Sequence, residues 1–182
     1  MSRAAVATLA LVAVLLVSSG RREGSPEVEV RGDAAATDAE IRARIASYLG
    51  GQNPLLTGRE LARIADSVMG CQERHDLDPY LVAGVMHTES TARPWAVSPK
   101  GAVGLMQVMP YMYELFDLAG NITTIESNIE AGCVILSDNI RRLGEADGIL
   151  AYFWGGRIRG VSYLHRVEEA RAALREPLES RS

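Results

Sequence analysis

Apolar positions recur at helical spacing from Thr37 onward, and the breaks between the periodic runs predict where each helix starts and stops. Thr37 and Glu40 have the spacing of a capping box, and Ile41, Ile45 and Leu49 follow on one face until Gly50-Gly51, where the spacing predicts a stop. Thr57 and Glu60 repeat the box ahead of Leu61, Ile64, Ala65 and Val68, and Cys71 shares that stripe. Asp78 as cap and Pro79 in the first turn predict a third helix with Leu81, Val82, Val85 and Met86 on its buried side. Four residues past Val85 comes Glu89, so a carboxylate stands at the last turn of the apolar stripe. Pro94 then keeps Arg93 out of the helix.

Trp95 to Gly104 is too rich in proline and glycine for a helix and predicts an irregular loop or a small hairpin, with Leu105 to Val108 a short helix or an extended turn. Pro110 predicts a helix through Leu115, Phe116 and Ala119, closed by Gly120-Asn121. Ser127 is the expected cap of the cleanest pattern in the chain, Ile129, Cys133, Leu136, Ile140 and Leu143. A shorter helix follows from Ala146 to Trp154, with Ile149, Tyr152 and Phe153 on one side, and a last one from Val161 to Leu174 on Val161, Leu164 and Val167. No segment alternates with period two over a useful length, so the expected class is all-α, α+β at most if the hairpin forms.

Before Thr37 the pattern is different. Arg3, an apolar and small-residue run from Ala4 to Val17, then Ser18, Ser19 and Gly20 have the order of a secretory signal, and the run is shorter than the roughly 20 apolar residues of a bilayer span. Residues 1–20 therefore read as a signal peptide, with an N-terminal membrane anchor as the alternative, and 21–36 as a flexible linker. The folded domain is expected over 37–176 and a short tail over 177–182. A formal charge of −4 argues against electrostatic capture of nucleic acid. Cys71 and Cys133 fit either a disulfide in an oxidising compartment or two small buried apolar side chains, and two cysteines alone make no tetrahedral metal site. His75, His87 and His165 fall on different helices without ligand spacing, so neither a metal nor a cofactor is expected.

The chemistry concentrates between Val85 and Pro110. A carboxyl group set against Val85 and Met86 resists ionisation, and a carboxylic acid that holds its proton near neutral pH can serve as the general acid in cleaving a glycosidic bond. After Ser90, Gly101 and Gly104 allow close backbone approach to a ligand, and Leu105-Met106-Gln107 offers apolar surface beside an amide. The plainer alternative is a glycine-rich loop with Leu105 and Met106 in the core.

Four strings in order sharpen this. They are D-L-D-P-Y-L-V-A-G-V-M-H-T-E-S, W-A-V-S-P-K-G-A-V-G-L-M-Q-V-M-P, S-N-I-E-A-G and A-Y-F-W-G, spanning Asp76 to Gly155. Their order resembles the motif set of the soluble lytic transglycosylases, the lysozyme-like enzymes that cut bacterial peptidoglycan. The resemblance implies a lysozyme-like helical domain and an enzyme acting on peptidoglycan glycan strands, and the signal-like order of residues 1–20 leads us to expect it exported, in the periplasm or envelope. It implies Glu89 as single acid and base, Ser90 and Gln107 holding substrate, Met106 lining the cleft, and Tyr152 hydrogen-bonding the Glu89 carboxylate. Asn128, Ile129 and Gly132 would support packing, and Arg157, Arg159 and Arg166 form a basic patch that is either solvated or meets peptide-stem carboxylates. The family pattern usually reads A-Y-N-x-G where this chain has Phe153, which puts the saccharide contact at that point in doubt. A hydrolytic muramidase of the same fold, and a catalytically weak wall-binding or assembly protein of an envelope-spanning apparatus, are the rival expectations.

Overall fold

Both capping boxes form. In a computed structural model that describes residues 36–177, the Glu40 carboxylate accepts the Thr37 N–H at 2.7 Å and Thr37 Oγ1 accepts from Glu40, opening α1 (Asp38–Gln52). Thr57 and Glu60 open α2 (Gly58–His75) in the same way, at 2.9 Å. The expected signal at 1–20, all of the linker but residue 36, and the last five residues of the tail lie outside the described residues. Gly50-Gly51 does not stop α1. The helix runs to Gln52 because Asn53 provides its terminus, its N–H reaching Leu49 O at 2.9 Å and its Nδ2 reaching Ala92 O at 2.9 Å.

Asp78 and Pro79 begin α3 (Pro79–Ser90), with Asp78 Oδ1 accepting from Tyr80 N at 3.0 Å. Pro79 to Met86 is buried on every side, since α1, α2 and α7 all pack around this helix. Only its last turn reaches a surface. At Gly84 a Cβ would sit 2.9 Å from Val167 O, so glycine is what lets α7 come this close. The next segments are α4 (Tyr111–Leu115), α5 (Ile125–Leu143), α6 (Glu145–Trp154) and α7 (Ser162–Arg175).

α4 is a single turn, much shorter than the Pro110–Ala119 helix expected, because the chain turns back at Asp117, whose φ of 48° is incompatible with continuation. α5 is capped by Thr124, whose Oγ1 accepts from Ser127 N, and Ser127 lies within the first turn instead of before it. Between α3 and α4 the expected hairpin reduces to two isolated antiparallel bridges, Val97 with Val103 and Val103 with Val108, and Leu105 to Gln107 is a turn. The described residues are thus all-α. Cys71 of α2 and Cys133 of α5 form a disulfide with Cα atoms 6.0 Å apart, which settles the open choice for that pair.

α3 and α7 run antiparallel and are pinned at one end by charge. Asp78 Oδ2 accepts from Arg171 Nε at 2.7 Å and from Arg175 at 2.5 Å, and Arg171 also reaches Glu145 at 2.7 Å. Arg171 is nearly buried and shares three carboxylates, a geometry worth more than an isolated surface pair. The other end of this helix pair holds Glu89.

Candidate active site

α3 ends under strain. Thr91 and Ala92 take φ of 52° and 55°, a left-handed conformation that is costly for residues with a Cβ, and the Asn53 amide holds the Ala92 carbonyl in place. The turn puts Glu89 at the edge of a cleft and hands the chain to the loop at 95–110. Three helices fasten that loop. From α3, Ser90 Oγ donates to Leu105 O at 2.8 Å and accepts from Arg93 N at 3.2 Å. From α5, Asn128 Oδ1 accepts from Met106 N at 2.8 Å while its Nδ2 donates to Val103 O at 2.9 Å and Ile122 O at 3.0 Å. From α6, Tyr152 donates its hydroxyl to Met106 O at 2.8 Å. Gly104 has φ of 80°, and a Cβ there would lie 2.5 Å from Asn128 Nδ2, so the loop can reach the asparagine only with glycine at that position.

The Asn128 clip carries a measurable prediction. Asn128→Ala leaves the buried Met106 N–H without a partner and frees two carbonyls, and should lower stability by about 2–4 kcal/mol in chemical denaturation. Turnover should fall with it, because the loop that faces Glu89 loses its anchor.

Two of the residues expected to touch substrate are corrected by this geometry. Ser90 is 1% exposed and its hydroxyl is spent between Met86 O, Leu105 O and Arg93 N, so it is a strut between helix and loop. Met106 is 0% exposed and packs against Gly132 of α5, so it belongs to the core and not to the cleft wall. Gln107 does face the cleft. It adopts φ of 48°, and its Nε2 donates to Ala96 O at 3.1 Å and Gly104 O at 3.0 Å, which uses both amide hydrogens and leaves Oε1 as the group available to a ligand donor.

Tyr152 lines the cleft, but its hydroxyl goes to Met106 O. The hydroxyl on the Glu89 carboxylate is Tyr163's, donating to Oε1 at 2.6 Å. Tyr163 sits in the first turn of α7 and is 1% exposed. A signal for it was present in the sequence: Tyr163, Val167, Ala170 and Leu174 recur at intervals of four, three and four, and these are the buried positions of α7. The stripe expected on Val161, Leu164 and Val167 is displaced, with Val161 out in solvent.

Glu89 is partly buried and lines a cavity of about 560 Å³ together with Ser98, Lys100, Gln107, Tyr152 and Phe153. Burial pushes its pKa up to about 7, against the opposite pull of the Tyr163 hydrogen bond and the Arg166 charge. Burial, and then the Glu89 charge, hold the Tyr152 and Tyr163 hydroxyls well above the ordinary range, so both remain donors. A second cavity of about 550 Å³ shares Gln107, Met109, Tyr152, Phe153 and Trp154 with the first and extends toward Asn139 and Ile158. Among the residues lining either cavity Glu89 is the one carboxylate, and Glu114, Asp117 and Asp147 line neither. The arrangement can hold a proton at neutral pH, deliver it to a bound oxygen and take one back.

The family described as Transglycosylase SLT domain matches residues 68–167. The chain is 35% identical over 91 residues to a transglycosylase of Enterobacteria phage PRD1, covering 50% of this chain and 34% of that protein. It is 46% identical over 39 residues to membrane-bound lytic murein transglycosylase C of Haemophilus influenzae, covering 21% of this chain and 11% of that one. The 70-kDa soluble lytic transglycosylase of Escherichia coli aligns with a TM-score of 0.48 and 20% identity, over 77% of this chain and 29% of that chain. The chain thus spans about a third of the length of the phage relative and about a tenth of the murein transglycosylase. Because the family match runs from Val68 in α2 to Val167 in α7, over more than half of the sequence, this protein belongs to the transglycosylase SLT domain family.

Proposed function

We propose that this protein is a lytic transglycosylase, exported to the cell envelope, that cuts the β-1,4 bond between N-acetylmuramic acid and N-acetylglucosamine in peptidoglycan and leaves 1,6-anhydromuramoyl ends. The observation that carries the reading is Glu89, its pKa raised to about 7, as the one carboxylate among the described residues that line the cleft. A hydrolase of the usual kind needs two carboxyl groups at a set separation, whereas intramolecular ring closure needs one group acting twice. In this mechanism protonated Glu89 gives its proton to the glycosidic oxygen as the bond to C1 breaks, with the muramic acetamido oxygen assisting departure. The resulting carboxylate then takes the proton of the sugar's own 6-hydroxyl as that oxygen bonds C1, which regenerates the acid. Gln107 Oε1 offers an acceptor to the bound saccharide.

Mass spectrometry of a sacculus digest tests the proposal, since anhydro products are lighter by one water than reducing ends. Reducing ends alone would make the protein a muramidase, and pull-down of sacculi without released fragments would make it a binding protein. Tyr163 gives a second test. Its hydrogen bond favours ionised Glu89, so Tyr163→Phe should raise the Glu89 pKa further and move the alkaline limb of the pH–rate profile to higher pH. The same variant should cost roughly tenfold in kcat, because the carboxyl group loses the donor that orients it.

A further inference from the structure

Phe153 has no part in the mechanism above, although it lines both cavities and is 47% exposed. Its ring lies on that of Tyr163 with centroids 4.7 Å apart and planes at 15°, a stacked pair linking the last turn of α6 to the first turn of α7. Trp154 meets the same ring edge-on at 4.9 Å and 81°, and its own Nε1 donates to Gly160 O at 3.1 Å, which ties the segment between α6 and α7 back to the aromatic pair. Arg166, one turn along α7, lies over the Tyr163 ring with its guanidinium carbon 5.8 Å from the centroid. Tyr163 is therefore clamped by side chains at its ring while its hydroxyl is committed to Glu89.

We propose that Phe153 is a positioning residue, which holds the Tyr163 ring so that its hydroxyl stays on the Glu89 carboxylate during turnover. A phenol oxygen lies far from its own backbone, so a small swing of the side chain about its Cα–Cβ bond carries the hydroxyl out of hydrogen-bond reach, and the stacked face of Phe153 opposes a swing toward it. An aliphatic side chain at this position has no such flat face, and an amide has one of much smaller area. The inference rests on the reading of Glu89 as the general acid and adds to it a residue that acts on the acid only through Tyr163.

The test measures initial rates of the full chain on a soluble, peptide-bearing oligosaccharide of alternating N-acetylglucosamine and N-acetylmuramic acid. Phe153→Leu and Phe153→Met remove the planar ring and keep apolar volume. Each should lower kcat by about tenfold with KM little changed, as the loss of one aromatic pair at a transition state would. Phe153→Tyr, which keeps the ring, should hold wild-type turnover. In a Tyr163→Phe background Phe153→Leu should cost less than about twofold, because the hydroxyl it positions is already gone. An equal cost in both backgrounds, or an effect confined to KM, overturns the proposal, since Phe153 would then act independently of Tyr163 or only as a substrate contact. Glu89→Gln is run alongside. If it keeps wild-type turnover, the reading of the site itself fails; if it is inactive while the Phe153 variants match the wild type, only the role of Phe153 fails.

Discussion

Glu89→Gln should lose turnover by about 10³-fold or more on purified sacculi, since the proposed mechanism asks one group to serve as both acid and base. The fold should survive, because Gln keeps a side-chain oxygen for the Tyr163 hydroxyl. Stability should respond to pH in a definite direction. With the Glu89 pKa at about 7 against an ordinary 4.5, the folded state binds the proton more tightly than the unfolded chain. The associated stability is complete below the ordinary value and is lost as pH rises through about 7. The neutral amide escapes that loss, so the variant should melt higher than wild type at pH values above about 7 and close to it in acid. A variant that is both inactive and less stable at alkaline pH would mean the carboxyl group supports the fold and does not work against it.

Removing the disulfide should have the largest effect on stability. Cys71 and Cys133 are separated by 62 residues and both are fully buried where α2 meets α5. Closing a loop of that length restricts the unfolded chain by roughly 4 kcal/mol on the chain-entropy estimate. The double variant Cys71→Ala, Cys133→Ala should accordingly melt roughly 10–15 °C lower, by calorimetry without reductant. The bond ties α2 to α5, the helix whose Asn128 anchors the loop at 95–110, so that loop should become protease-sensitive well before the rest of the domain. A melting point that does not move between oxidised and reduced wild type would remove the disulfide from any account of stability.

What could be read from the chain, and what could not, divides along the range of the interactions. Helix starts at Thr37, Thr57 and Asp78 were legible because a cap is local, with donor and acceptor two or three residues apart. Glu89 was legible because the stripe on α3 carries it inward. Gly50-Gly51 misled because the pair weakens a helix only by propensity, and the tertiary bond from Asn53 to Ala92 outweighs it. At the start of α5 the cap falls on Thr124, three residues before the expected Ser127, whose N–H is the donor to Thr124 Oγ1. The tyrosine on Glu89 was missed for a different reason. Tyr152 and Tyr163 both lie close to the carboxylate, and which hydroxyl reaches it depends on how α6 and α7 meet, through contacts that cross 46 and 74 positions of sequence. Ser90 and Met106 were placed on the substrate by their neighbours in the motif. Their burial instead makes them parts of the frame on which Glu89 and Gln107 are mounted.

The antiparallel pair of α3 and α7 works as a length gauge. Asp78 and Glu89 mark its two ends on one helix, and Arg171 and Tyr163 mark the matching ends on the other. Because an α-helix turns by about 100° per residue, a single residue inserted or deleted inside either span could satisfy the charged end or the Glu89–Tyr163 end, but not both. Changes in the connections outside those spans leave the gauge intact. Variation in this protein should therefore be tolerated as length between helices and rejected as length within these two.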